Sequence, residues 1–197
     1  MNRKQWRILA LAGSLRRNSF NRMLLYAAAD CAPASMRVSI FDDLASVPLF
    51  NEDLEGEGGP KPVAQLRQAV ASAHGLLIAT PEYNHSVPGV LKNAIDWLSR
   101  PAPEEVLVGK PVAIVGVTSG LWGTRLAQAA LRQILYATGS QVVPGPALYI
   151  TAAHTHFDAN GRLPDDTVRA ALQDQLGRFD DWIECCIGVD PALRPIS

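Results

Sequence analysis

Three short segments hold the polar groups with which this chain could bind a small molecule. The first reads Gly13-Ser14-Leu15-Arg16-Arg17-Asn18-Ser19-Phe20-Asn21, between a strand-like run and a helix-like one. It offers hydroxyls, guanidinium groups, amides and the free N–H groups of a helix N-terminus. A phosphate suits that set: helix-end N–H groups carry partial positive charge, hydroxyls add donors, and an arginine neutralises charge bidentately. A monoester fits better than a diphosphate. The dinucleotide fingerprint needs three glycines for close backbone approach to a pyrophosphate, and Gly13 stands alone here. The competing reading is a plain helix cap by Ser19 or Asn21, which needs one such residue only.

The second segment, Thr80-Pro81-Glu82-Tyr83-Asn84-His85-Ser86-Val87-Pro88-Gly89, is stiffened by Pro81 and Pro88. Its backbone and side chains could meet the edge and the face of a flat heterocycle. Alternatively the prolines only punctuate a turn. The third, Thr118-Ser119-Gly120-Leu121-Trp122-Gly123-Thr124, has small residues for close approach, and its indole suits either a stacked ring or a subunit interface.

These segments matter together only if the fold brings them to one place. Strand-like runs are expected at Trp6–Ala12, Met36–Phe41, Gly75–Ala79, Pro111–Thr118 and Gln141–Ile150, mostly continuous apolar runs of the kind buried on both faces. Helical spacing falls at Asn21–Asp30, Lys61–Ala73, Pro88–Leu98, Thr124–Thr138 and about Asp165–Cys186. This βα alternation, five times over, predicts one doubly wound α/β domain spanning residues 1–197, with helices on both faces of a five-stranded parallel sheet. In the flavodoxin-like strand order 2-1-3-4-5, the loops after strands one, three and four share one edge, where ligands of open parallel sheets bind. Gly139 is placed to end the fourth helix and Asp165 or Asp166 to cap the last. The long segment Asp42–Pro60 exceeds what a βα connection needs, so function or an interface is expected there.

Composition narrows the classes. The 197 residues are 48% hydrophobic and 19% charged, ordinary for a globular domain. The 18 basic and 19 acidic residues leave a net charge of −1 and form no basic run, so nucleic acid is not an expected partner. No apolar stretch approaches the ~18 residues of a bilayer span, so a cytoplasmic chain with no membrane partner is expected. Cys31, Cys185 and Cys186 read as reduced packing residues rather than a disulfide framework.

Residues 13–16 (Gly-Ser-Leu-Arg) with Ser19 and Asn21, then Pro81-Glu82-Tyr83-Asn84-His85-Ser86 running into Leu91-Lys92-Asn93-Ala94-Ile95-Asp96-Trp97, resemble the NADPH-dependent FMN reductase family. That family includes quinone, chromate and azo-dye reductases. The resemblance runs from about Ile8 to Pro144, including Gly109-Lys110-Pro111-Val112 and the helix from Ala127 to Leu135. It implies that Ser14, Arg16, Ser19 and Asn21 hold the FMN phosphate. Pro81, Glu82, Tyr83 and Asn84 would line the isoalloxazine ring, with Ser119 and Gly120 closing its other edge. It further implies that electrons pass from NADPH or NADH through the flavin to a small-molecule acceptor, with no side chain doing covalent chemistry. A homodimer or homotetramer is implied, with Tyr83, His85, Asp96, Trp97 and Arg100 as contact candidates. Members often carry paired glycines where this chain has Trp122-Gly123, which bears on how open the pocket is above the ring.

Other readings are weaker. His154 and His156 lack a third ligand at fixed spacing, so no metal site is expected. Asp158 to Gly161 is a turn rather than a calcium loop, since the later glutamate is missing. Asp42 and Asp43 stand where a dinucleotide fold places its ribose-binding acid, which supports an NAD-binding Rossmann domain as the alternative. A non-catalytic flavodoxin-like electron carrier is a second; such carriers tend to be strongly acidic, which this chain is not. Gly13-Ser14-Leu15 is not a nucleophile elbow, which argues against hydrolysis.

Overall fold

The structure, a computed structural model, describes residues 5–56, 59–100 and 105–189. Its elements alternate along the chain: β1 (Trp6–Ala12), α1 (Phe20–Cys31), β2 (Met36–Phe41), α2 (Lys61–Ser72), β3 (Gly75–Ala79), α3 (Gly89–Leu98), β4 (Pro111–Val117), α4 (Arg125–Ala137), β5 (Gln141–Val142), β6 (Leu148–Ile150) and α5 (Asp166–Val189). All strand pairs are parallel, in the order β2-β1-β3-β4-β5, with β6 also on β4. Every residue of β3 and β4 is buried, which their unbroken apolar sequences require when helices cover both faces.

Two apolar clusters, one on each face, hold the layers together. Leu24 and Leu25 of α1 meet Leu172, Leu176, Phe179 and Ile183 of α5 against Ile8, Leu77 and Val115. On the other face Leu66, Leu91, Ile95, Leu131 and Leu135, from α2, α3 and α4, pack on Leu11, Ile78 and Ile114. The cap signals act as expected. Gly139 adopts φ +72° just past α4, the left-handed region that an L side chain resists. The Asp165 carboxylate accepts the Thr167 and Val168 amides (2.9 and 3.0 Å) at the start of α5. Its other oxygen bonds His156 Nδ1 at 2.7 Å. These bonds, first the Val168 amide and then His156, hold the Asp165 carboxyl below its usual range.

The expected single strand Gln141–Ile150 is two strands. Pro144 and Pro146 have no N–H to give to a ladder, and Gly145 between them takes φ +96°. The chain therefore leaves β4 after Val143 and returns to it at Leu148. The sheet has five positions, the last filled by two short strands in turn.

The long segment after β2 folds onto α3. Asn93 accepts the Phe50 N–H (2.7 Å) and donates to the Pro48 carbonyl (2.8 Å), which also takes the Trp97 indole N–H (2.8 Å). Phe50 meets Trp97 edge-on at 5.0 Å. Trp97, a contact candidate from the sequence, is instead a core residue at 2% exposure. Arg100 likewise closes this segment, bonding Glu55 through two nitrogens (2.8 and 3.1 Å) and Glu52 at 2.9 Å.

One titrating group lies within this packing. His74, between α2 and β3, accepts the Arg7 N–H on Nδ1 at 2.9 Å and meets Trp6 edge-on. Burial, with the nearby Arg7 and Lys110 charges, pushes its pKa down to about 4. A depressed folded pKa means that the unfolded chain binds the proton more readily, so this contribution is complete above pH ~6.5 and is lost as pH falls toward 4. Urea unfolding at a series of pH values will show stability falling from about pH 6.5 to 5, before most carboxylates titrate. His74→Asn, which keeps an acceptor for the Arg7 amide, will flatten that slope; an unchanged slope would place its origin elsewhere.

Candidate cofactor-binding site

The carboxyl ends of β1, β3 and β4 bring the three segments together. Gly13 fixes the first of them: its N–H donates to the Ala79 carbonyl at 2.8 Å. A Cβ there would lie 3.2 Å from both Pro81 and Leu91, tight enough that a side chain would push the first loop a few tenths of an ångström off the start of the second. Ser14 is buried, with Oγ 3.4 Å from the Tyr83 hydroxyl.

At the start of α1 the phosphate and cap readings coexist. Ser19 Oγ accepts the Arg22 N–H at 3.3 Å, an N-cap. The N–H groups of Phe20 and Asn21, the first two of the helix, meet no acceptor among the described residues. Arg16 is exposed, with no side-chain partner among the described residues. The Asn21 amide faces away from solvent: its Nδ2 donates to the Val117 carbonyl (2.9 Å) and its Oδ1 accepts the Val117 N–H (3.1 Å). Both ends of that side chain are therefore committed to β4, and what Asn21 presents to a ligand is its backbone N–H.

The second segment is a tight hairpin. Tyr83 and Ser86 exchange backbone hydrogen bonds (3.1 and 3.0 Å), and the two residues between them, Asn84 and His85, have φ +50° and +62°. Two positive φ values in a row are what a type I′ turn needs, and asparagine tolerates them better than most residues. Glu82 has turned inward. Its Oε2 accepts the N–H groups of Leu126 (2.9 Å) and Ala127 (3.1 Å), so it caps α4, whose own N-cap residue Thr124 makes no side-chain cap bond. A carboxylate at a helix N-terminus meets about half a positive charge. Glu82 therefore offers a ligand its backbone, while its side chain ties the second loop to the third.

The third segment is held from below. Thr118 donates to Ile150 (3.0 Å), while the Thr118 and Gly120 carbonyls accept Ala153 and Ala152 (3.0 and 3.1 Å). Thr124 is fully buried against Gly116, where a Cβ would come within 2.7 Å of the Thr80 carbonyl. Leu121 and Trp122 stand out at 85% and 81% exposure, and Leu15 and Tyr83, on the other two loops, are exposed as well.

Of the ten site residues read from sequence, eight share one cleft of about 120 Å³: Ser14, Arg16, Ser19, Asn21, Pro81, Glu82, Tyr83 and Ser119. Asn84 and Gly120 lie outside it, exposed. Phe20, Val117 and Thr118 line it as well. Their position was the available signal, since each stands at a strand's carboxyl end or a helix's first residue. A cleft this small fits a phosphate, well below the ~300 Å³ at which pockets for whole ligands begin. The donors present suit the phosphate end of FMN: two unpaired helix amides and an unpartnered arginine at one cleft.

Comparison with known proteins agrees with this geometry. The profile described as NADPH-dependent FMN reductase matches residues 6–155. The chain belongs to that family. It is 43% identical over 177 residues to an NAD(P)H-dependent FMN reductase of Pseudomonas aeruginosa, covering 90% of this chain and 95% of that one. To a 2-hydroxy-1,4-benzoquinone reductase of a Burkholderia species it is 40% identical, covering 90% and 96%. Among solved structures, a flavoenzyme NAD(P)H:(acceptor) oxidoreductase from Paracoccus denitrificans superposes with a TM-score of 0.85 at 33% identity, covering 91% of this chain and 98% of that one. This FMN reductase is thus an oxidoreductase of flavodoxin-like fold, with FMN as cofactor and NAD(P)H as donor.

The Asn21 link is testable. Asn21→Ala leaves the buried Val117 N–H and C=O without partners and should cost about 2–4 kcal/mol, from two lost bonds and two stranded groups. Urea unfolding measures it; a loss under about 0.5 kcal/mol, the scale of neutral surface changes, would mean that water replaces the side chain fully.

Proposed function

We propose that FMN binds with its phosphate in the cleft at the start of α1 and its ring against Pro81–Tyr83 and Thr118–Gly120, and that the acceptor is a small quinone. The observation that carries this reading is the meeting of Ser14, Arg16 and Ser19 with Pro81, Tyr83 and Ser119 in one cleft. Bound FMN supplies the redox chemistry, accepting electrons from the reduced nicotinamide and passing them to the acceptor.

The chain's part is position and electrostatics. Arg16 and the Phe20 and Asn21 amides hold the phosphate, while Ser14 and Tyr83 tie the phosphate loop to the ring loop. The rigid hairpin at 83–86 keeps one wall of the ring site fixed. An open site of this kind lets donor and acceptor use the same face in turn, and the quinone-reductase names among the relatives favour quinones as the acceptor class. The whole chain, 1–197, serves as one domain in this reading, working in the cytoplasm; no helix among the described residues is long and apolar enough to cross a membrane. The exposed apolar rim of Leu15, Tyr83, Leu121 and Trp122 favours a homodimer or homotetramer in which a second copy covers part of it. Against the dinucleotide alternative, Asp42 is paired with Arg22 at 2.7 Å.

The deciding experiment is a visible spectrum of protein mixed with excess FMN, desalted and given NADPH without oxygen, then a benzoquinone. A retained flavin spectrum that bleaches and recovers is expected. Flavin that is retained but never bleaches would make the chain an electron carrier. Arg16→Ala should weaken FMN binding roughly 10- to 100-fold, the effect of a lost charge-assisted bond; unchanged affinity would remove Arg16 from the phosphate site.

A further inference from the structure

A second cavity of about 540 Å³ runs along the outer side of α1, between that helix and the turn before α5, and it meets the cofactor cleft at Ser19. It is lined by four arginines drawn from two distant parts of the chain, Arg17 and Arg22 from one and Arg162 and Arg169 from the other. In a chain of net charge −1 this is a concentration of positive charge that needs a reason.

Two of the four have local partners. Arg22 pairs with Asp42 at 2.7 Å and donates to the Tyr26 hydroxyl at 3.3 Å. Arg169 donates to the Leu163 carbonyl at 2.8 Å and lies near enough to Cys31 for its charge to act on that thiol, which puts it at the far end of α1 beside Asp30. Arg17 and Arg162 form no ion pair among the described residues. Arg162 is nevertheless well placed: its N–H and that of Asn160 both donate to the Asp158 carboxylate (2.8 and 2.9 Å), and Gly161 packs on Met23 of α1. The groove mixes these charged groups with the apolar side chains of Met23, Ala27 and Leu163. Two uncommitted guanidinium groups line it, a dianion's worth of charge, and Ser19 marks the end where it meets the cofactor cleft. Asp30 stands roughly 16 Å away along the helix, able to accept from a hydroxyl or amine. Tyr26 offers an aromatic face between them.

We propose that this groove holds the phosphomonoester on the adenosine end of NADPH, the 2′-phosphate, between Arg17 and Arg162, and so sets preference for NADPH over NADH. The proposal rests on the flavin reading above, since the donor reaches the groove only if its nicotinamide lies over a flavin ring whose phosphate sits in the adjacent cleft. A phosphomonoester dianion is what paired arginines recognise best, and the cavity is of the size that holds a nucleoside.

The test uses FMN-loaded protein and Arg162→Glu, at an exposed turn position outside the cofactor cleft. The KM for NADPH should rise tenfold or more, while kcat and the KM for NADH stay as in the parent and the flavin spectrum is retained. Calorimetry with adenosine 2′,5′-bisphosphate should show binding to the parent, competition by NADPH, and loss in the variant. Equal KM changes for both donors, or none, would overturn the proposal. Binding that NADPH does not displace would give the groove to a free nucleotide phosphate instead, and also overturns the donor assignment. If the parent retained no flavin, the cofactor reading would have failed separately, while the bisphosphate titration would still report on the groove.

Discussion

The position of the loop after β1 against the loop after β4 is set by one buried side chain. Asn21, at the start of α1, holds both polar backbone groups of Val117 at the end of β4, across 96 residues of sequence. The bonds are buried, so water does not compete for them, and any rotation of α1 would strand two backbone groups. The helix end that offers its amides to a ligand is thereby locked to the strand whose following loop forms the opposite wall.

Around that lock, the polar residues at the sheet edge divide between bonds within the fold and exposure to the cleft. Glu82 is committed to the fold: its charge is absorbed by the N-terminus of α4. Glu82 still lines the cleft, but the helix amides it accepts offset its charge there, and Arg16 is left without a side-chain partner among the described residues. Ser19 serves both ends, capping α1 through its hydroxyl while lining the cleft. The tight turn at Asn84 and His85 is a conformation of higher energy for non-glycine residues, of a kind that clusters at binding sites because the surrounding structure must hold it.

Much of this was legible in the sequence, and for identifiable reasons. Continuous apolar runs such as Gly75–Ala79 have one stable home, a strand covered on both faces, and their alternation with helical spacing leaves few topologies. Eight of ten site residues converge because the sheet edge gathers the loops whatever their details. What stayed hidden depends on tertiary partners. The inward turn of Glu82 needs the N-terminus of α4, 44 residues on, and the burial of Trp97 needs the Pro48 carbonyl from the long segment. That Arg162 lines one cavity with Arg17 follows from how α5 and the turn before it pack on α1, which periodicity does not encode. The break between β5 and β6 was readable in Pro144-Gly145-Pro146, but an apolar run on either side masked it.

That break bears on the solubility of the sheet. β5 and β6 together form the last strand position, and an uninterrupted parallel edge would offer another chain a row of free donors and acceptors. Here the two prolines remove donors and the left-handed glycine bends the backbone out of register. Side chains from the flanking helices also bond carbonyls of this position: Trp182 bonds Gln141 (2.9 Å), Arg132 bonds Val143 (3.1 Å) and Gln128 bonds Leu148 (2.9 Å). A growing fibril would find only two short, separated stretches of template on this side, so association between copies is steered away from strand pairing and toward side-chain surfaces.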